Sequence, residues 1–269
     1  EQLNKTALKA HGVDPNGQLY KINSFEFYRY EDVIRLTTDP AYDQTAFEKH
    51  LEIKGNSDHS KLIKMLDVLN DESSSMDDEL FVTYFDKENI AYWMAFQLLT
   101  GNTDTQNRNV YLYSPQNSSK WYLWDWDNDG MLRRREREMI NFSDSESWER
   151  GVSNYWGNVL FRRCLQTQSY RDLLDTAMKE LYAYMNEERI QSMMEHYRSV
   201  TEKYVWQMPD RMNVPITHDE YEEVLKSIWP EIDENYNYYW ESYRKPMPFL
   251  YWRAAGGKRL PSADLGPLL

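Results

Sequence analysis

Apolar residues recur along this chain with two different periods, and the change of period separates a mixed N-terminal part from a helical C-terminal part. Residues 17–22 and 49–54 are short β-favouring runs, with Gly12, Pro15 and Gly17 marking the turn before the first, and both are predicted strands. His59 to Asn70 carries Leu62, Ile63, Leu66 and Leu69 on one helical stripe, and the Ser- and acid-rich stretch 71–78 is predicted to be a loop. A second helix is predicted from Asp86, an N-cap residue type followed by Glu88 in the first turn, to Gly101. Between them Ile90, Trp93, Met94, Gln97 and Leu98 recur at helical spacing. The runs 109–113 and 120–124 are predicted strands of a hairpin that turns through 115–119. From Trp156 the period is helical over roughly 156–167, 170–186, 187–206 and 218–243, with breaks near Asn186, Pro209 and Pro215. After Pro246 and Pro248 the character changes, and 246–269 is expected to be a linker and the start of a following domain. The pattern as a whole predicts an α+β domain over 1–245.

Composition narrows the class. Apolar residues make up 41% of the chain and aromatics 15%, enough for a packed core and too much for a disordered chain. The longest apolar run, Ile90 to Leu99, is interrupted by Tyr92 and Gln97 and falls well short of the roughly 20 residues a bilayer span needs, so no membrane insertion is expected. The net charge of −13 repels nucleic acid and anionic lipid and favours cationic partners. A polyphosphate ligand would need metal ions or local cations to offset that field. Cys164 is the only cysteine, which excludes an internal disulfide and a cysteine-based metal cluster. Five scattered histidines support neither a zinc site nor a Ser-His-Asp arrangement. The chain begins at Glu1 and is expected to be a fragment, incomplete at its N-terminus.

The chemistry concentrates in 101–130. A predicted helix runs into a polar loop holding Asp104 and Asn109, five residues apart; a hairpin follows, and its exit carries Asp125, Asp127 and Asp129. Protein kinases use this order: an Asp that orients the substrate hydroxyl, an Asn that holds a metal ion, and a further Asp beyond the hairpin that holds metal between the phosphates. Asp-x4-Asn alone is a weak signal, and the helix before and acid cluster after make it more specific. On this reading the carboxylates of Asp104 and of Asp125 or Asp127 face one cleft.

Leu19-Tyr20-Lys21, Gly101-Asn102-x-Asp104 with Asn109-Val-Tyr-Leu-Tyr113, and Lys120-Trp-Tyr-Leu-Trp124-Asp125-Trp126-Asp127 resemble motifs of the CotH (spore-coat protein H) kinase-like family. The resemblance covers about residues 1–243. It implies a two-lobed, protein-kinase-like fold with a truncated β-rich N-lobe and a large helical C-lobe. It implies an atypical Ser/Thr protein kinase that transfers the ATP γ-phosphoryl group with Mg²⁺ or Mn²⁺. By that likeness Asp104 is the catalytic acid/base, Asn109, Asp125 and Asp127 are metal ligands, and Lys21 contacts the ATP phosphates with Glu52 as a candidate partner. The implied substrate is a Ser/Thr-containing, basic protein, and the implied location is extracellular, at the cell surface or in the spore coat. Arg108 stands where the family often has His, and the chain has no Gly-x-Gly-x-x-Gly loop.

Other functions fit some of the same residues. Asp125-x-Asp127-x-Asp129-Gly130 with Glu136 matches the twelve-residue EF-hand calcium loop, but that loop needs an entering helix, and β-favouring residues precede Asp125. Some surface proteins of the family act as adhesins, so a binding module on a kinase-like scaffold is a further alternative; adhesion has no need of Asp104, Asn109, Asp125 or Asp127. Arg133, Arg134, Arg135 and Arg137 interleave with Glu136 and Glu138, which suits a solvated ion-paired face. Asp104 in a Gly-Asn-Thr-Asp turn is also a suitable Asx-turn residue, and Lys21 a suitable surface lysine.

Overall fold

Asp86 accepts a hydrogen bond from Asn89 N at 2.8 Å and starts helix α4 (Lys87–Leu99), which Thr100 and then Gly101, at φ +62°, bring to an end. Ile90, Ala91, Trp93, Met94, Ala95, Leu98 and Leu99 bury on several sides of α4, as expected of a helix at the centre of a core. Gln97 is the one polar side chain buried with them. The computed structural model describes residues 3–139 and 151–242. Residues 246–269, expected to begin another domain, lie outside the described residues.

Strands β1 (Gln18–Ile22), β2 (Leu51–Ile53), β3 (Val110–Ser114) and β4 (Tyr122–Asp125) form one antiparallel sheet in the order β2-β1-β3-β4. Tyr20, Ile22, Val110, Leu112 and Leu123 face the main core. Leu19, Tyr111 and Tyr113 face the other way, where they pack with Leu3, Ala7 and Leu8. The latter two belong to α1 (Lys5–Ala10), a helix that the sequence pattern did not predict. Asn4 starts it by accepting from Thr6 N at 2.8 Å and Ala7 N at 3.1 Å. The hairpin turn is anchored by Lys61, whose ammonium donates to Ser114 Oγ, Pro115 O and Ser118 O at 2.6–2.7 Å.

The outer edge of β4 is closed in an unusual way. Trp121 pairs through its backbone with Tyr84 and Asp86 (2.7 and 3.3 Å). At Leu123 the partner is a side chain: Asn89 Oδ1 accepts from Leu123 N at 2.7 Å while Asn89 Nδ2 donates to Leu123 O at 3.1 Å. The amide does what a neighbouring strand's peptide group would do.

The helical part comprises α2 (Gln44–Glu48), α3 (Ser60–Asn70), α5 (Arg134–Met139), α6 (Val159–Gln166), α7 (Gln168–Tyr184), α8 (Glu187–Val205) and α9 (His218–Ser242). Helix α4 packs against α7, α9 and β4, which makes it the element joining the helices to the sheet. The predicted loop at 71–78 is a shorter loop leading into a π-helix, Met76–Tyr84. Met76, Leu80, Phe81 and Tyr84 are buried, and their spacing winds the chain despite the acids between them. Strand β2 is shorter than the predicted 49–54, because α2 and its C-cap occupy the chain up to Lys49. The architecture is α+β, a small antiparallel sheet against mostly helices.

His59 is buried between α2 and β1. Its ring stacks on Phe47 with centroids 4.0 Å apart, and its two nitrogens bond the hydroxyls of Tyr20 (2.8 Å) and Tyr42 (3.1 Å). Desolvation pushes the imidazole pKa down to about 4, below its usual 6.5, with Asp58 opposing the shift. The unfolded chain therefore binds the extra proton first. The His59 contribution to stability is complete above pH 6.5 and is lost as pH falls from 6.5 towards 4, by at most about 1.4 kcal/mol per pH unit. Urea unfolding of the wild type at pH 7.5, 6 and 5 is expected to show this decline relative to His59→Gln; parallel declines in the two would locate its source elsewhere.

Candidate active site

The loop from Gly101 to Asn109 is polar, and three of its backbone carbonyls are held from outside the loop. Asn154 Nδ2 donates to Thr103 O at 3.1 Å, Asn158 Nδ2 to Gln106 O at 2.8 Å, and Phe25 N to Asn107 O at 3.0 Å. Thr105 Oγ1 and the buried Tyr155 hydroxyl bond at 3.0 Å. Asn107 Nδ2 donates to Glu26 Oε1 at 2.6 Å. A loop pinned this densely holds its side chains in fixed directions.

Asp104 and Asn109 meet directly. Asn109 Nδ2 donates to Asp104 Oδ2 at 2.8 Å, which leaves the Asn109 carbonyl oxygen turned outward from the pair. Asn109 adopts φ +56°, a left-handed conformation that Asn tolerates better than most residues. Arg108 Nε donates to Asp104 Oδ1 at 2.5 Å; this ion pair is open to solvent and contributes little to stability.

Asp125 ends β4, in register with Val110 and so beside the start of β3. Gln97 Nε2 donates to its Oδ1 at 2.6 Å. The residue is exposed at one edge, yet protein surrounds the carboxyl on its other sides. The resulting desolvation pushes its pKa up to about 6, outweighing the lowering by the nearby Trp93 indole N–H and the Gln97 amide. Among the described residues Trp93 Nε1 itself is buried with no partner within bonding distance. Asp127 follows at φ +56° and is exposed, at the start of a 3-10 turn, Asn128–Gly130.

That turn is packed against the Asp104 loop. Asn102 Nδ2 donates to Asn128 Oδ1 at 3.2 Å, and Asn102 Oδ1 accepts from Asp104 N at 3.3 Å. A Cβ on Gly130 would lie 3.0 Å from Asn102 Oδ1 and 3.6 Å from Asp104 Cβ. Leu132 N donates to Thr100 O at 2.8 Å, returning the chain along the end of α4. Asp104, Asn109, Asp125 and Asp127 are thus gathered at one end of the sheet, beside the C-terminus of α4.

Lys21 and Glu52 are placed differently. They face each other in register on β1 and β2, on the same side of the sheet as Tyr111 and opposite to Asp125, which bonds α4. Glu52 accepts from Lys54 Nζ at 2.5 Å, while the Lys21 ammonium lies over the Trp126 ring, 5.5 Å from its centroid. No Lys21–Glu52 ion pair forms among the described residues. Lys21 shares the end of the sheet with the four polar residues but reaches it from behind Trp126.

An open groove of about 450 Å³ runs along the edge of β4, between α1 and the first turn of α4, lined by His11, Asn89, Trp124, Asp125 and Trp126 among others. The element entering the acid cluster is a strand, so the helix that an EF-hand requires is replaced by β4. The side chain of Glu136, the twelfth position of that alternative, lies outside the described residues. Among the described residues, the acid and histidine side chains that converge on one point within 4.8 Å are Glu202, His218 and Glu222. They lie far along the chain, and Arg198 already pairs with both carboxylates.

The family model for CotH kinase protein matches residues 1–239. The chain belongs to the CotH kinase family. No curated protein matches it. Among the described residues no helix is long and apolar enough to cross a membrane. In this CotH kinase chain the polar residues that the motif reading left without a role are Gln97, Asn102, Asn154 and Asn158. Gln97 was legible only as a polar interruption in the apolar stripe of α4; nothing in the local sequence of Asn154 or Asn158 marks a partner some 50 residues earlier.

Gly101 is where α4 must stop for the loop to begin. A Cβ there would meet Asn235 Nδ2 at 2.8 Å, and the backbone is left-handed. Gly101→Ala is expected to destabilise the protein by about 1–2 kcal/mol, the cost of a side chain in that conformation. Urea unfolding checks this, and an unchanged midpoint would show that the turn relaxes freely.

Proposed function

We propose that this chain is an ATP-dependent Ser/Thr protein kinase whose reaction centre lies between Asp104 and Asp127. The observation that carries the reading is the direct Asn109–Asp104 hydrogen bond beside Asp125, held in place by Asn102. The two-lobed arrangement belongs to this reading, with α4 and the helices after it as the larger lobe and the sheet side as the smaller.

The donor set suits a hard divalent cation. Asn109 offers a carbonyl oxygen because its NH₂ is committed to Asp104, and Asp125 keeps one oxygen beyond the one bonded to Gln97. With Asp127 this gives oxygen ligands of the kind Mg²⁺ or Mn²⁺ takes, leaving room for phosphate oxygens. When bound, the ion neutralises charge on the phosphates. The aromatic groove beside Asp125 is large enough for the nucleoside part of ATP and open enough for exchange.

In the reaction a substrate Ser or Thr oxygen bonds the γ-phosphorus as the bond to the ADP oxygen breaks, and the hydroxyl proton passes to Asp104. Asp104 orients that hydroxyl, and the exposed Arg108 is the partner it releases to do so. Lys21 reaches only phosphate oxygens that approach the end of the sheet past Trp126. The negative field of the chain favours a basic substrate, and a location outside the cell, at its surface or in a spore coat, follows the family resemblance.

Labelled ATP, Mg²⁺ and a Ser-rich basic peptide test the reading. Asp104→Asn is expected to fold and bind ATP while transferring phosphoryl about 100-fold more slowly or worse. Asp125→Ala and Asp127→Ala are expected to weaken metal-dependent nucleotide binding as well. Full activity in Asp104→Asn would make it a turn residue, and unchanged nucleotide binding in both alanine variants would remove the metal assignment. Lys21→Met is expected to raise the half-saturating ATP concentration about tenfold, the worth of one charge-assisted contact of roughly 1.4 kcal/mol, and an unchanged value would return Lys21 to a packing role on Trp126.

A further inference from the structure

A buried amide on a core helix costs stability unless both its ends are paired, and an apolar side chain of the same size would fill the space at lower cost. Gln97 is 1% exposed on α4 and has both ends paired. Its Nε2 donates to Asp125 Oδ1 at 2.6 Å, and its Oε1 accepts from Asn102 Nδ2 at 3.0 Å. The direction of this chain is forced. Asn102 presents a donor, so Gln97 must turn its oxygen towards Asn102 and its NH₂ towards Asp125; the flipped amide would set oxygen against oxygen at Asp125.

Asn102, itself 2% exposed, also holds the Asp104 backbone N–H and the Asn128 side chain. Two neighbouring amides therefore touch the strand end carrying Asp125, the loop carrying Asp104 and the turn between Asp127 and Asp129. A shift of any one of these breaks a bond to the others.

We propose that Gln97 is a positioning residue of the reaction centre: oriented by Asn102, it fixes the Asp125 carboxyl through one oxygen, leaving the second to hold an ion, and it ties that residue to the Asp104 loop. The inference rests on the kinase reading above. Gln97 touches neither ion nor substrate and acts through Asp125. Partners of this outer kind typically change metal affinity by about 10- to 100-fold when removed.

The test is direct ion binding, with no catalysis required. Free Mn²⁺ is measured by electron paramagnetic resonance during titration of the protein with and without a non-hydrolysable ATP analogue. The variants are Gln97→Met, Asn128→Ala and Asp125→Ala, each checked for folding by thermal unfolding. Gln97→Met is expected to weaken Mn²⁺ binding about tenfold or more, and Asn128→Ala, which loosens only the outer end of the relay, to weaken it by a smaller factor. A purely structural role would lower the thermal midpoint of Gln97→Met and leave the Mn²⁺ affinity of the folded protein unchanged, and that result overturns the proposal. If Gln97→Met does not fold, Asn128→Ala decides, and wild-type affinity in that variant counts against the relay. Wild-type binding in Asp125→Ala is a different failure, since it removes the metal reading and the proposal with it.

Discussion

A carboxylate at the rim of a protein core loses water on one side and must be given donors in return, or it takes up a proton. Asp125 is in that position, and much of the surrounding structure answers its need. The donor reaches it from Gln97, so α4 must carry an amide where its neighbours are apolar. That amide needs its own acceptor satisfied, which fixes Asn102 just beyond the end of the helix. Asn102 then governs where the following loop can run. The left-handed Gly101 and the Asn109–Asp104 pair stand on that short stretch of backbone, and Gly130 closes against it from the turn after β4. This cluster of polar side chains is thus organised outward from one partly desolvated carboxyl.

The elements with strong periodicity were legible in the sequence. Helices α3, α4, α7, α8 and α9 and the β3–β4 hairpin lie close to their predicted spans, since apolar periodicity and the breaks that bound it mark such segments locally. The π-helix at 76–84 was not legible, because its apolar positions are masked by acids that point to solvent. Helix α1 was missed for a different reason. It is only 6 residues long, and its stability comes from covering Leu19, Tyr111 and Tyr113, contacts that no local pattern encodes. At the site, spacing was enough to bring Asp104, Asn109 and the hairpin acids to one place. The amides that hold them were hidden, because an Asn or Gln shows its purpose only when the partner is known.

Sheet geometry also sorts the basic residue from the acidic ones. Alternation along β1 sends Lys21 to the α1 side, while Asp125 points at α4. Lys21 and Asp125 belong to one sheet, so a ligand that engages both must wrap around the end of the strands and past Trp126. A lysine in a separate lobe could close over its ligand; this one moves only with the hairpin that carries the acids.

The Asn89 side chain at the edge of β4 has a consequence for how the chain stays apart from its own copies. The hairpin sequence is dense in Tyr, Trp and Leu, the composition that stacks readily when a free edge is offered to another strand. The usual protections, a lysine or proline on the edge strand itself, are absent from Tyr122–Asp125. The guard comes from a helix instead, and it works only once α4 has docked. Until then Leu123 has no such partner, and among the described residues only Tyr84 and Asp86 pair along the edge, at Trp121. Loosening α4, even with the sheet intact, would leave the Leu123 peptide groups open to strand addition, so the docking of a helix guards this strand edge.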